Sequence, residues 1–380
     1  SKKQKQMQIL HIITGLGKGG AETLLCNLCQ FDSDYKHTII SLSDLEGSKS
    51  IINKPNVSLY SLNFLEGKIK LFGLFKLFKL IKKIKPDVVQ TWMIHADLVG
   101  GIVARLAGIK NVFWGVHHTI LIPGKVKAST IFILKINAFL SNIIPKKIIY
   151  CAEKSREAQE SIGFNKSKGI VIQNGYDIKN FFNSDSLRTD FRNELNIPKN
   201  SFVIGHVGSN DPLKDQNTLI EALALIDHKQ FNFIAILVGK NLDNNNNDLV
   251  SMIKEKGLSG RIHLKGIRSD ISAVMNGIDL FMLSSVSEAF PSVLNESMAC
   301  GTPCVTTDVG DAAIIVGNTG WIVRPKDPKA FANALTQAMK ENQSNNELWL
   351  KRKDNCRKRI VENFSLEKMV KKYKQAWLGE

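Results

Sequence analysis

Two carboxylates, Glu288 and Glu296, stand eight positions apart in the sequence, with Ala289-Phe290-Pro291-Ser292-Val293-Leu294-Asn295 between them. Proline has its φ fixed near the helical value and lacks the amide that a first turn leaves unpaired. Pro291 therefore predicts a helix that starts with it. The free amides that follow, at Ser292 and Val293, make an anion site. The carboxylates cannot be ligands of that anion, because like charges repel. They suit acceptance of hydrogen bonds from sugar hydroxyls. Gly301-Thr302-Pro303 stops the helix. The plainer alternative is two solvated glutamates flanking a buried helix.

Other groups could do chemistry. Gly15-Leu16-Gly17-Lys18-Gly19-Gly20-Ala21-Glu22 follows a strand-like run and opens a helical one. Glycines such as Gly17, Gly19 and Gly20 let backbone amides approach an anion, or make a tight turn and nothing more. The loop departs from strict G-x-G-x-x-G register. With Asp44 in the place of a ribose-binding acid it still leaves open an NAD-dependent oxidoreductase. Val207 to Asp215 follows another strand-like run and offers Lys214 as a phosphate ligand, or as an ordinary surface lysine. His117-His118 end a third run, where the carboxyl ends of parallel strands bind ligands. Two adjacent histidines there are a site or a structural pair.

The elements that must position these groups form two β/α series. In the first, strand-like runs at 9–13, 38–42, 88–92, 112–116 and 148–151 alternate with helical patterns at 21–28, 69–84, 96–106 and 129–140. In the second, runs at 202–207, 233–238, 262–264, 280–283 and 304–306 alternate with helices at 217–225, 248–256, 269–276, 292–299 and 328–341. Such alternation predicts an α/β fold of doubly wound parallel sheets. The Asn-rich segment 241–248 reads as an exposed loop.

The Glu288–Glu296 stretch resembles the E-x7-E signature of glycosyltransferase family 4, a retaining family of the GT-B fold with bacterial surface-polysaccharide members. Gly208-Ser209-Asn210-Asp211-Pro212-Leu213-Lys214-Asp215 resembles its G-R-x-x-P-x-K-D stretch, and Gln173-Asn174-Gly175-Tyr176-Asp177 its linker between domains. The resemblance runs from about Met7 to Trp377. It implies two facing Rossmann-like domains with a cleft between them: a tail at 1–6, an acceptor domain at 7–172, a nucleotide-sugar domain at 173–363, and a closing helix at 364–380 that packs back on the first. It implies catalytic roles for His118, Glu288 and Lys214. Donor-binding roles fall to Gly17, Gly19, Gly20, Ser209, Lys214, Ile267, Arg268, Phe290, Pro291, Ser292, Val293 and Glu296. The family's phosphate-clamping Arg is Ser209 here, and a hydroxyl offers one neutral hydrogen bond in place of a bidentate fork. Arg268 is the candidate substitute. The implied activity is transfer of a hexose or N-acetylhexosamine, without metal or other cofactor, from a UDP-linked donor to a glycan or polyprenyl-linked acceptor. A GT-B nucleotide-sugar epimerase and a weakened nucleotide-binding module are the rivals.

Length and charge bound the setting. The 380 residues exceed one ordinary core, which predicts two domains. Net charge is +16, and residues 1–180 hold 26 basic against 12 acidic side chains. That imbalance points to an anionic partner surface. From 66 to 85 the sequence is Phe- and Lys-rich, with Leu71, Leu74, Phe75, Phe78 and Ile81 on one helical face and Lys76, Lys79, Lys82 and Lys83 opposite. This is the pattern of a helix lying on anionic lipid headgroups, or of a crossover helix covering a sheet. A membrane is thus preferred to nucleic acid as partner. No apolar run is long enough to span a bilayer. Six cysteines, including Cys26-x-x-Cys29 in an apolar helix, read as reduced and buried. The expected setting is cytoplasmic, peripheral to the inner face of the plasma membrane.

Overall fold

The computed structural model describes residues 6–16, 20–43, 54–64, 70–118 and 126–380. The chain divides into two units: residues 1–175 with 366–380, and residues 176–365. Gly17, Gly19, Asp44 and nearly all of the expected tail lie outside the described residues.

The first unit opens with β1 (Gln8–Ile13), α1 (Gly20–Phe31), β2 (Lys36–Ser41), β3 (Val57–Ser61) and α2 (Leu71–Ile84). It continues through β4 (Val88–Trp92), α3 (Ile94–Leu106), β5 (Val112–Val116), α4 (Ala128–Leu140), β6 (Lys147–Tyr150), α5 (Glu153–Ser161) and β7 (Gly169–Val171). The strands form one parallel sheet in the order β3-β2-β1-β4-β5-β6-β7. Alternation along β1 serves both faces. Leu10 and Ile12 join the core under α2, α3 and α4, while Ile9 and Ile13 join the core under α1.

β3 and β7 were not expected. They are edge strands of intermediate burial and lack the continuous apolar run of a central parallel strand. α5 was also unforeseen, because Glu153–Ser161 is polar and shows no helical stripe.

On α2 the expected apolar face divides. Leu77 and Ile81 are buried, and Gly73 leaves room for the Phe64 ring. Leu71 is 85% exposed, Phe72 79% and Phe75 54%. The helix therefore covers the sheet with one stripe and offers a second, at its N-terminal end, to the outside. Lys79 sits over the Phe75 ring at 4.6 Å.

The second unit contains α6 (Asp185–Glu194), β8 (Val203–Val207), α7 (Gln216–Leu225), β9 (Ile234–Val238), α8 (Asn247–Glu255), β10 (Ile262–Leu264) and α9 (Ile271–Gly277). It then runs β11 (Leu280–Leu283), α10 (Ser292–Ala299), β12 (Cys304–Thr307), α11 (Ala312–Val316), β13 (Trp321–Val323), α12 (Pro328–Ser344) and α13 (Asn346–Asn363). Its parallel sheet has the order β10-β9-β8-β11-β12-β13. Leu219 and Leu223 of α7, Ile253 of α8 and Phe331 and Leu335 of α12 pack on one face.

The Asn-rich segment is more than an exposed loop. Leu242 is fully buried, and the Asn246 side chain caps α8 by accepting from the Leu249 amide at 3.2 Å. The last helix, α14 (Leu366–Leu378), follows the second unit in sequence but belongs to the first. Met369, Val370, Tyr373 and Trp377 recur at helical spacing and enter the core beside α1. The Trp377 indole donates to Gln90 Oε1 at 3.0 Å.

Candidate functional site

In the second unit the strand order reverses between β8 and β11. Loops at the carboxyl ends of the two strands flanking such a switch point diverge and leave a crevice where ligands bind. Lys214 lies in the loop after β8, and Glu288 in the loop after β11. The Lys214 ammonium donates to Glu288 Oε1, and Ser285 Oγ donates to the same oxygen at 2.8 Å. The side chains of Lys214 and Glu288 are 28% and 14% exposed, so both reach solvent while mostly shielded.

The loops that carry this pair are fastened to each other. The Val286 amide donates to the Leu213 carbonyl at 2.8 Å. Ser284 Oγ donates to the carbonyls of Lys214 at 3.0 Å and Asp215 at 2.8 Å. Asp215 then takes a left-handed conformation and caps α7 through Thr218. The Pro-x-Lys-Asp order is thus a turn, a cation and a helix cap in succession. Beneath Lys214, His206 bonds the Met282 carbonyl through Nδ1 at 3.0 Å and approaches Gln216 through Nε2 at 3.3 Å. Burial lowers the His206 pKa to about 4, with the nearby Lys214 charge adding to the effect, so the ring is neutral near pH 7.

The Glu288 loop is also backed from β12. The Asp311 amide donates to the Ala289 carbonyl at 2.9 Å. Gly310 has φ +49°, and a Cβ there would collide with the carbonyl oxygens of Ala289 and Glu288. Ser285, His206 and Gly310 were not singled out in the sequence. The only signal for Gly310 is a glycine in the loop shortly after a strand.

α10 spans Ser292–Ala299, the expected range, but Pro291 is its N-cap and not its first helical residue. Its ψ of 99° is extended, so the proline ends the loop and does not start the helix. No side chain caps α10, and the amides of Ser292 and Val293 have no partner among the described residues. Phe290 is buried and stacks on Tyr176 with ring centroids 6.4 Å apart. Glu296 is half-buried on the second turn, and burial pushes its carboxyl up to about 7.

The raised pKa of Glu296 has a sign that can be tested. A carboxyl raised in the folded state favours folding while protonated and loses that contribution as pH rises through the folded value. Between pH 4.5 and 8 the unliganded protein is expected to lose roughly 2 kcal/mol relative to Glu296→Gln. Chemical denaturation of both proteins across that range measures it; parallel profiles would rule it out.

The remaining expected donor residues are dispersed. Ser209 is exposed, and its carbonyl accepts from Gln216 at 2.7 Å. Ile267 is exposed on the loop after β10. Arg268 has its guanidinium occupied by Glu194, at 2.9 and 3.0 Å, and by Asp270, at 2.8 and 2.7 Å, above the Phe191 ring. It is a structural tie between α6 and the start of α9, whereas Lys214 is bonded to Glu288 in the loop that leads into α10.

In the first unit the expected residues lie after β1 and β5. Gly20 opens α1 and is exposed. His117 and His118 follow β5. Burial lowers them to about 3 and about 4, so both rings are neutral near pH 7. Ser155 Oγ donates to the His118 carbonyl. The group best placed to hold a metal among the described residues is His11, Cys29 and His37, wholly buried in this unit. All six cysteines are free and buried.

Comparison with known proteins agrees with this fold. The model of Glycosyltransferase Family 4 matches residues 18–180, and that of Glycosyl transferases group 1 matches residues 188–359. The Escherichia coli UDP-Gal:alpha-D-GlcNAc-diphosphoundecaprenol alpha-1,3-galactosyltransferase is 27% identical over 306 residues, covering 77% of this chain and 76% of its own. The crystal structure of Anabaena HepE in complex with UDP is 24% identical with a TM-score of 0.85, over 98% of this chain and 100% of that one. A glycosyltransferase from Rickettsia africae is 20% identical with a TM-score of 0.83, over 98% of both chains. With two doubly wound parallel units and both family models matched in succession, this chain belongs to the family 4 glycosyltransferases of GT-B fold, and is related to those that build bacterial surface polysaccharides.

Proposed function

We propose that the chain is a retaining hexosyltransferase. It takes a hexose or N-acetylhexosamine from a UDP-linked donor and passes it to a hydroxyl of a lipid-linked glycan, on the cytoplasmic face of the plasma membrane. The observation that carries this reading is the Lys214–Glu288 pair beside the uncapped α10, at the switch point of the second unit. UDP in the HepE complex and the lipid diphosphate acceptor named for the E. coli relative support the choice of donor and acceptor class.

The chemistry follows from charge. As the bond from the sugar C1 to the phosphate oxygen breaks, negative charge grows on the departing diphosphate. Lys214 and the amides of Ser292 and Val293 are placed to meet it, each well-aimed donor contributing about 3–4 kcal/mol. Glu288 and Glu296 accept from sugar and ribose hydroxyls. The acceptor oxygen bonds C1 on the same face, and its proton passes to the leaving phosphate. No metal is needed, so EDTA should leave turnover unchanged. The test is a thermal-shift comparison of UDP, GDP and NAD, then transfer assays with UDP-hexoses and a polyprenyl-diphosphate N-acetylglucosamine acceptor. The anomeric configuration of the product is read by NMR. Binding of NAD alone, product formed from donor without acceptor, or an inverted product would each overturn the reading.

Membrane contact belongs to the same proposal. Leu71, Phe72 and Phe75 of α2 are exposed beside Lys70, Lys76, Lys79, Lys82 and Lys83. On α4 of the same unit Phe132 is 65% and Phe139 70% exposed. No helix among the described residues is long and apolar enough to cross a membrane. Each lysine near an anionic bilayer contributes about 1 kcal/mol. Binding to phosphatidylglycerol vesicles is expected at low salt and release at high salt. Replacing Lys76, Lys79, Lys82 and Lys83 by Gln should weaken it at least 100-fold while UDP binding persists. Equal binding to neutral vesicles would show that α2 is only a cover for the sheet.

A further inference from the structure

Five polar side chains from five segments form one continuous chain in the first unit, buried except at its Lys374 end. Lys374 of α14 bonds Asp32 Oδ1 at 2.8 Å. Asp32 Oδ2 meets His37 Nε2 at 2.8 Å. His37 Nδ1 faces His11 Nε2 at 2.9 Å, and Trp92 Nε1 donates to His11 Nδ1 at 3.1 Å. His11, His37 and Trp92 are fully buried, and Asp32 is nearly so.

The indole fixes the direction of every bond, because its N–H can only donate. His11 Nδ1 must accept, so the His11 proton sits on Nε2 and is given to His37 Nδ1. The His37 proton then sits on Nε2 and is given to Asp32. The same logic removes the metal reading of His11, Cys29 and His37, although their ligand atoms lie within 4.8 Å of one another. A metal on His11 Nε2 would put the ring proton on Nδ1, against the indole N–H.

The locked indole has a neighbour in the expected site. Trp92 stacks on His117, with centroids 5.1 Å apart and planes at 20°, and on Tyr373 of α14 at 5.8 Å and 25°. His117 directly precedes His118. Met93, next to Trp92, has φ 77° and ψ 163°, a strained region for a residue with a side chain. Freed from His11, the indole could turn as Met93 relaxed.

We propose that His11 is a positioning residue. By holding the Trp92 indole it fixes the ring on which His117 stacks, and with it the placement of His118. The consequence for turnover rests on the proposed transferase reading and on the catalytic role that the family resemblance implies for His118; the consequence for ring geometry does not.

Selective ¹³C/¹⁵N-histidine NMR on the full chain tests both. In the wild type His11 and His37 are expected as Nε2–H tautomers, with the His117 ring protons shifted upfield by the indole. In His11→Leu that upfield shift is lost. In His11→Gln, whose amide can accept from the indole and donate to His37, it returns. In transfer assays His11→Leu should lower kcat by about 10-fold or more while the UDP Kd stays within about twofold, and His11→Gln should recover most of the loss. An Nδ1–H tautomer at His11 in the wild type overturns the proposal even if the leucine variant does not fold. So does a His117 signal unmoved in His11→Leu. Loss of the upfield shift in a protein that transfers no sugar would uphold the positioning and sink the transferase reading instead.

Discussion

Lys214→Ala is expected to lower kcat/KM for transfer by about 10²–10³-fold, the range seen when one preorganised donor to a developing anion is removed. Lys214 is the cation bonded to Glu288 in the crevice between β8 and β11, and Arg268 cannot replace it while Glu194 and Asp270 hold its guanidinium. The partner variant separates the roles of the pair. Glu288→Ala removes the acceptor of sugar hydroxyls but frees the ammonium for phosphate. UDP should then bind as tightly as before, or more tightly, while kcat falls by a similar factor. Lys214→Ala should weaken UDP binding, because its loss also leaves a mostly shielded carboxylate beside the site. Calorimetric UDP titration and steady-state kinetics of the two single variants and the double variant measure the coupling. If Lys214→Ala stays within threefold of wild type, or both variants weaken UDP equally, the assignment of Lys214 to the diphosphate is wrong.

Gly310→Ala should disable the enzyme without removing a polar side chain. The new methyl would meet the carbonyl oxygens of Ala289 and Glu288, and the Ala289 carbonyl is held in place by the Asp311 amide. The φ of +49° adds strain for any residue with a Cβ. A destabilisation of about 2–3 kcal/mol is expected, from left-handed strain together with overpacking. Displacing the Glu288 loop by about 1 Å would lower turnover by about 10²-fold. Gly260→Ala is the control, since nothing lies within 4 Å of a Cβ there. Thermal unfolding and transfer assays on both variants decide. Full activity in Gly310→Ala would mean that the Glu288 loop is not held by this contact.

The doubly wound architecture was legible in the sequence because central parallel strands are buried on both faces and so appear as continuous apolar runs between amphipathic helices. The position of the site at strand ends followed from the same alternation. The spacing of Glu288 and Glu296 across a proline is a local property, and α10 occupies its expected range, 292–299. What lay beyond the sequence were the pairings between distant segments. Glu288 meets Lys214, 74 positions away, because β8 and β11 lie side by side in the sheet although two strands separate them along the chain. Gly310 lies behind Glu288 for the same reason, through β12. Arg268 looked available for phosphate until the fold brought Glu194 against it. On α2 a single helical face could not be divided into buried and exposed stripes without knowing where Phe64 would pack. The chain from Lys374 to Trp92 joins segments up to 342 positions apart, because α14 belongs to the first unit. Local chemistry along the chain specifies which groups can act. Only the crossovers and the packing of buried surfaces decide which of them meet.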